Sequence, residues 1–132
     1  MDDNEAIRAF LRHFFRLENL PVEIIDSARV AWDRFQAAPH DYSMLLTDCE
    51  MPGMTGVELA KRVRQVRADL PMIIFSTSVA VHGPKHFATQ GFVAALPKPV
   101  ALDTLRSTIR NALVTESPST AGTPAQSEQA QI

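Results

Sequence analysis

Apolar residues along the chain recur with two different spacings, and the two alternate. Stretches in which an apolar residue returns every three or four positions predict amphipathic helices, whereas short apolar or β-branched runs predict buried strands. The helical stretches are residues 4–20, 28–38, 57–66, 84–90 and 102–113. The strand runs are residues 22–25, 43–47, 72–75 and 92–96. The predicted order of elements is therefore αβαβαβαβα.

Apolar strands that alternate with amphipathic helices are typical of a parallel sheet covered by helices on both faces. We therefore predict an α/β fold with a doubly wound parallel sheet. Ligands of such folds bind beyond the carboxyl ends of the strands, where the sequence places Asp48, Ser76, Thr77 and Lys98. The pattern opens with a helix, whereas a doubly wound sheet normally opens with a strand.

The composition of the chain changes near residue 114. Residues 115–132 contain no aromatic and no basic residue, and Ile132 is their one large aliphatic side chain. Such a segment buries too little apolar surface to offset the entropy that it loses on ordering. We predict one domain over residues 1–114 and a disordered polar tail over residues 115–132.

Composition and charge narrow the classes of function. The 132 residues are 45% hydrophobic and 21% charged, as in an ordinary globular domain, and their formal net charge of −2 argues against a broad nucleic-acid-binding surface. The single cysteine, Cys49, excludes an internal disulfide and a cysteine-rich zinc site. Because no apolar run reaches membrane-spanning length and the start is acidic, we expect a cytoplasmic protein without membrane or nucleic-acid partners.

Three carboxylates are candidates for one anionic cluster at the edge of the sheet. Asp2, Asp3 and Asp48 would repel one another by roughly 1–4 kcal/mol per pair, and a hard divalent cation relieves that repulsion. Sparse carboxylate ligation with retained waters suits Mg²⁺. With the metal bound, Asp48 could accept a phosphoryl group as the nucleophile, while Lys98 and Ser76 hold its other oxygens.

The run at residues 48–56, DCEMPGMTG, resembles the D-x-x-M-P-x-M-x-G motif that follows the third strand of response-regulator receiver domains. Three other features are similar: the acidic run at residues 2–5, Ser76 at a strand end, and the sequence LPKP at residues 96–99. The resemblance covers roughly residues 1–114. It implies a CheY-like, flavodoxin-like fold and a role in two-component signalling, and the LPKP ending resembles receivers fused to hybrid histidine kinases.

The resemblance implies a phosphorelay role for three side chains. Asp48 would be the phosphoacceptor, taking a phosphoryl group from a phosphohistidine of a histidine kinase or histidine phosphotransfer protein. Lys98 would pair with the phosphoryl group, Ser76 would hydrogen-bond it, and the Lys98–Pro99 peptide bond is expected to be cis. The domain would not be an enzyme. Phosphorylation would switch its contacts with partner proteins, and a second copy of the chain could be one of these partners.

The resemblance also implies a metal site. Asp2 and Asp3 would be Mg²⁺ ligands, one directly and one through water. Asp48 and the backbone carbonyl of Glu50 would complete the protein's share of the coordination.

Three features depart from the family. The family's first strand is a short hydrophobic run that lies at the centre of the sheet and would have to precede Asp2. We therefore expect the sheet to lack this strand, which would stand before Met1. Three explanations are open: an incomplete chain or a start assigned too late, a compensating strand from another chain, or a looser fold; we favour the first. Ala95 stands where many receivers carry Tyr or Phe, and Thr77 replaces a commoner Ala or Gly.

Other functions remain as alternatives. A pseudo-receiver that signals by contact without phosphorylation would explain the missing strand and Ala95, but the intact Asp48, Ser76 and Lys98 count against it. A phosphatase of the haloacid-dehalogenase type would need a second Asp where Glu50 stands. A flavodoxin would need its phosphate-binding loop after the first strand.

Two isolated features have ordinary structural interpretations. Cys49 is interpreted as a buried structural thiol in preference to a redox sensor. His82 and His86 have a spacing that chelates metal on a helix, but Gly83 and Pro84 lie between them. A solvated loop is therefore the favoured interpretation for this pair.

Overall fold

A computed structural model describes residue 2 and residues 4–51, 53–116 and 130–131. The strands are β1 (Val22–Glu23), β2 (Met44–Thr47), β3 (Met72–Ser76), β4 (Ala94–Pro97) and β5 (Ala130–Gln131). The helices are α1 (Glu5–Leu17), α2 (Ala28–Ala37), α3 (Gly56–Val66), α4 (Ser78–His82), α5 (Pro84–Ala88) and α6 (Leu102–Glu116), and a 3-10 turn covers Pro39–Asp41.

The strands of the described residues form one sheet in the order β1-β5-β2-β3-β4, and every neighbouring pair is parallel. Parallel neighbours require crossover connections, and the helices between the strands supply them. This arrangement confirms the predicted α/β fold with a doubly wound parallel sheet.

The side chains of the inner strands alternate between two hydrophobic cores. On β2, Leu45 lies in one core while Met44 and Leu46 lie in the other, and on β3 Ile74 and Ile73 divide in the same way. Helices α2, α3 and α5 cover the first core, and α1 and α6 cover the second. Both faces of the inner strands are therefore buried, which explains why these strands are continuously apolar.

Local sequence determines where two of the helices begin. The side chain of Asn4 accepts hydrogen bonds from the first turn of α1. Thr55 and Glu58 form a reciprocal capping box at the start of α3, directly after the loop that follows β2. This cap fixes the far end of the loop that carries Asp48.

Two apolar side chains of the helices, Val66 and Trp32, are not fully buried in the cores. Val66 is 49% exposed, whereas Leu59 is 1% exposed and faces the core. Val66 is the last residue of α3, and the chain turns to an extended conformation at Arg67, so the apolar stripe stops one turn earlier. Trp32 is only partly buried and packs at the edge of the first core.

Helix α4 lies in a segment for which the sequence predicted no helix. It has five residues, and the side chain of Thr77 at its start makes no capping hydrogen bond. A helix this short contains too few turns for apolar periodicity to show. Its buried face consists of Ser78 and Val79.

The predicted disordered tail is wrong at two places. Helix α6 continues to Glu116, and Ala130–Gln131 form β5, which pairs with both β1 and β2. Residues 117–129 and Ile132 lie outside the described residues. The reason is backbone pairing: any extended segment satisfies the peptide groups of flanking strands, whatever its side chains.

Strand β5 occupies the position in the sheet that we expected to be empty. A compensating strand does fill the gap, but it comes from this same chain and not from another one. It pairs Ala130 with Val22 and Met44, and Gln131 with Glu23 and Leu45.

We expect Ala130→Pro to lower the free energy of unfolding by about 1–3 kcal/mol, because proline removes an N–H from the middle of the sheet and leaves a partner unpaired. Ala130→Val is the matched control, since it keeps the N–H and favours strand geometry. Urea denaturation of the full chain measures both. Equal midpoints for Ala130→Pro and the parent would show that β5 contributes nothing to the stability of the sheet.

Candidate functional site

The carboxyl ends of three neighbouring strands meet at one edge of the sheet. Asp48 directly follows β2, Ser76 ends β3, and Lys98 directly follows β4. Asp2 lies at the same edge, where its backbone N–H donates a hydrogen bond to the carbonyl of Ile25. This is the edge at which the sequence predicted a ligand site.

Lys98 contacts both Asp2 and Asp48, the two members of the predicted carboxylate cluster that the structure describes. Its ammonium group lies 2.6 Å from Asp2 Oδ2 and 3.3 Å from Asp48 Oδ2. The lysine side chain is 13% exposed, and the ammonium lies 5.4 Å from the ring centroid of Phe75. Because the three charged groups are shielded from water, each would be costly to bury without the others. The Lys98–Pro99 peptide bond is cis, as expected.

Asp2 is held by its backbone as well as by its side chain. Its Oδ1 accepts a hydrogen bond from the N–H of Asn4, and its carbonyl accepts one from the Arg8 guanidinium. Only 1% of the residue is exposed. Asp2 is therefore a fixed part of the site although it stands next to the start of the chain. Asp3, the other predicted member of the acidic pair, lies outside the described residues.

The Asp48 carboxylate is oriented by the loop that follows it. Its Oδ1 accepts a hydrogen bond of 2.7 Å from the N–H of Cys49, and its carbonyl accepts one from the hydroxyl of Thr47. The N–H of Gly56 then closes the loop by donating to the carbonyl of Cys49. A Cβ atom at Gly56 would overlap the carbonyl oxygen of Asp48, so only glycine fits there.

A chain of hydrogen bonds connects Ser76 to Glu50. The hydroxyl of Ser76 accepts from the N–H of Ser78, and the hydroxyl of Ser78 donates to Glu50 Oε1 at 2.6 Å. This chain ties the loop after Asp48 to the beginning of α4. The sequence identified Glu50 as a metal ligand through its backbone carbonyl, and no motif in the sequence indicated that its side chain bonds to Ser78.

The donor set at this edge fits Mg²⁺. Asp2 Oδ2 and Asp48 Oδ2 both reach the same ammonium group, so the two carboxylates converge on a point that a cation can occupy. Mg²⁺ is typically bound by one or two carboxylates and several waters. Within residues 2, 4–51, 53–116 and 130–131, no cluster of three or more His, Cys, Asp or Glu side chains is placed to hold a metal.

None of the helices in the described part of the chain combines the length and apolar character needed to cross a bilayer.

The sequence matches the model of the response regulator receiver domain over residues 1–110. A curated relative, the C4-dicarboxylate transport transcriptional regulatory protein DctD of Pseudomonas aeruginosa, is 32% identical over 117 residues, which are 86% of this chain and 24% of that protein. The response regulator receiver protein CpdR of Brucella abortus is 36% identical over 80 residues, 61% of this chain and 64% of that protein. The chain thus spans about a quarter of the length of DctD.

Solved structures show the same fold. A receiver domain protein from Clostridium thermocellum superposes with a TM-score of 0.81 at 19% identity, covering 89% of this chain and 93% of that chain. The response regulator TrrA from Thermotoga maritima, in complex with Mg(2+)-BeF, superposes with a TM-score of 0.74 at 21% identity, covering 84% and 93%. These similarities confirm the CheY-like, flavodoxin-like fold.

We expect Gly56→Ala to lower the free energy of unfolding by about 1–3 kcal/mol, because the added methyl group collides with the carbonyl of Asp48. At an ordinary helix position the same change would stabilise the protein by about 1 kcal/mol. Lys61→Ala, at an exposed position of the same helix, is the control. Thermal denaturation that shows a gain in stability for Gly56→Ala would contradict the described loop geometry.

The thiol of Cys49 is expected to react slowly. Burial, followed by the charges of Glu50 and Asp48, raises the pKa of this thiol, so little thiolate is present at neutral pH. Alkylation by iodoacetamide should be much slower in the folded chain than in urea. Equal rates in the two states would instead favour a redox-sensing role.

Proposed function

Because this chain belongs to the family of response regulator receiver domains, we propose that Asp48 accepts a phosphoryl group from a phosphohistidine of a histidine kinase or histidine phosphotransfer protein. The observation that carries the proposal is the Lys98 ammonium held between Asp2 and Asp48. It supplies a fixed positive charge at the place where phosphoryl oxygens would arrive.

In the proposed reaction, a carboxylate oxygen of Asp48 attacks the phosphorus atom. The bond between phosphorus and the donor imidazole nitrogen breaks, and its electron pair stays on the nitrogen. The N–H of Cys49 keeps the carboxylate oriented, and Lys98 pairs with a phosphoryl oxygen. Catalysis of this kind rests on positioning and on neutralisation of charge.

Ser76 is suited to hydrogen-bond the phosphoryl group. Its oxygen already accepts from the N–H of Ser78, so its own hydroxyl proton can be donated to another acceptor. The side chain is 1% exposed and ends the strand next to Asp48. This position supports a hydrogen bond from the Ser76 hydroxyl to the phosphoryl group when that group is present.

Asp2, Asp48 and the carbonyl of Glu50 would hold Mg²⁺, and Asp3 is proposed as a further ligand from the sequence alone. When bound, the metal would neutralise charge on the incoming phosphoryl group. The carboxylate oxygens of Asp2 and Asp48 that would hold the metal are the ones that contact Lys98 in this structure.

Phosphorylation adds charge at the strand ends, and we infer that it shifts the loops next to Asp48 and their partner contacts. Ala95 pairs with Ile74 on β4 and has no ring to bury. The hydrogen bonds from Ser76 through Ser78 to Glu50 are therefore the route by which the change reaches α4. The role is one of signalling by changed binding and not of catalysis on a separate substrate.

One observation favours a second candidate, a pseudo-receiver that signals by contact alone. Lys98 already pairs with both Asp2 and Asp48, so each carboxylate has a cationic partner without metal or phosphoryl group. The two candidates differ in whether Mg²⁺ and a phosphoryl donor change the protein.

Incubation of the full chain with acetyl phosphate and Mg²⁺ should add one phosphoryl group, measured by intact mass. Asp48→Asn should abolish the addition, and hydroxylamine should reverse it in the parent, because it cleaves acyl phosphates. Asp41→Asn is the matched control, since this carboxylate lies in an exposed turn. No addition to folded protein would overturn the phosphoacceptor function and favour the pseudo-receiver.

We expect Lys98→Met to lower the free energy of unfolding in Mg²⁺-free buffer by about 2–3 kcal/mol, because Asp2 and Asp48 lose their common counter-ion. Mg²⁺ should then stabilise the variant more than the parent, since the metal no longer competes with the ammonium group. Lys61→Met is the exposed control. An equal response of variant and parent to Mg²⁺ would place the metal somewhere other than between these carboxylates.

A further inference from the structure

Two histidine side chains lie side by side where α4 meets α5. His82 is the last residue of α4, His86 belongs to α5, and Gly83 joins the helices with a φ of +81°. The ring centroids are 4.9 Å apart, and the ring planes differ by 31°. The favoured interpretation of these residues as a solvated loop is therefore wrong about the loop, because each belongs to a helix, but both side chains are exposed as that interpretation expected.

The separation of the rings matches that of two imidazoles on one metal ion. A ring nitrogen coordinates at about 2.1 Å, which puts each ring centroid about 3.2 Å from the metal. Two such ligands at about 90–109° have centroids about 4.5–5.2 Å apart. The observed 4.9 Å lies inside this interval. The ring separation is therefore compatible with chelation by both imidazoles once a nitrogen of each ring turns toward the ion.

A buried aromatic side chain also packs against both imidazole rings. Phe87 is 1% exposed and contacts both of them edge-on, with centroid distances of 6.3 Å to His82 and 5.0 Å to His86. A packed aromatic side chain beneath the pair limits the side-chain entropy that the imidazoles would lose on binding. Both histidines are exposed to solvent, so an ion can reach them.

From this geometry we propose that His82 and His86 form a two-imidazole site for a divalent transition-metal ion of the Ni²⁺ and Zn²⁺ class. Imidazole prefers these ions, whereas Mg²⁺ prefers oxygen ligands. The described residues supply no third side-chain ligand, so water completes the coordination. The site is separate from the Asp48 carboxylate and needs no phosphoryl group.

A bound ion would fix α4 to α5. The N–H and hydroxyl of Ser78, the first residue of α4, already bond to Ser76 and Glu50. A metal at the other end of this five-residue helix would hold both of its ends.

Calorimetric titration of the full chain with Ni²⁺, and separately with Zn²⁺, tests the proposal. The parent should bind one ion saturably, and its melting temperature should rise with the metal concentration. His82→Gln and His86→Gln should each weaken binding by about tenfold or more, because either change leaves a single imidazole. The double variant should bind at least as weakly as either single variant, because no imidazole remains at the site.

His13→Gln and His40→Gln are the matched controls and should bind as the parent does. Circular dichroism without metal establishes that each variant is folded, and His86→Ala provides a second variant if His86→Gln is not. Binding by His82→Gln that is as tight as that of the parent, or the absence of saturable binding in the parent, would overturn the site. Neither result depends on phosphorylation, so the test is independent of the function proposed for Asp48.

Discussion

The candidate site depends on one ammonium group that two carboxylates share. Lys98 reaches Asp2 and Asp48 because the end of β4 and the end of β2 lie at one edge of the sheet. The same arrangement explains why the site can change state. A lysine that pairs with two buried carboxylates can change partners in two ways. A metal ion can bind the carboxylates in its place, or a phosphoryl group can bind the lysine itself. The fold therefore holds the site in a partly neutralised form, with one ammonium against two carboxylates.

The sheet also needs a strand at the central position between β1 and β2. Strands β1 and β2 both need a parallel neighbour, and β5 provides it although its two residues are not typical of a buried strand. Asp2 bonds to Ile25 just beyond β1, and Asp48 follows β2, so the two carboxylates lie beyond the two strands that β5 joins. The stability of the sheet and the geometry of the site are thus connected through the backbone.

Much of this could be predicted from the sequence, for definite physical reasons. Alternating periodicity predicts the helices and the inner strands, and the DCEMPGMTG run together with Ser76 and Lys98 identifies the edge that carries the site. Three features could not be predicted. The pairing of Ala130–Gln131 depends on backbone groups that have no sequence pattern, α4 is too short for periodicity, and the contact between Glu50 and Ser78 joins residues far apart in the chain. Each is a tertiary effect that outweighs local preference.

The central claim is that Asp48, Lys98 and a divalent ion form a site for a phosphoryl group. Fluorine NMR of the full chain with beryllofluoride, a stable mimic of that group, tests the claim without a kinase. We predict a bound resonance that requires Mg²⁺, and we predict that Asp48→Asn removes it. A folded chain that gives no bound resonance, or gives the same one with Asp48→Asn, would contradict the account.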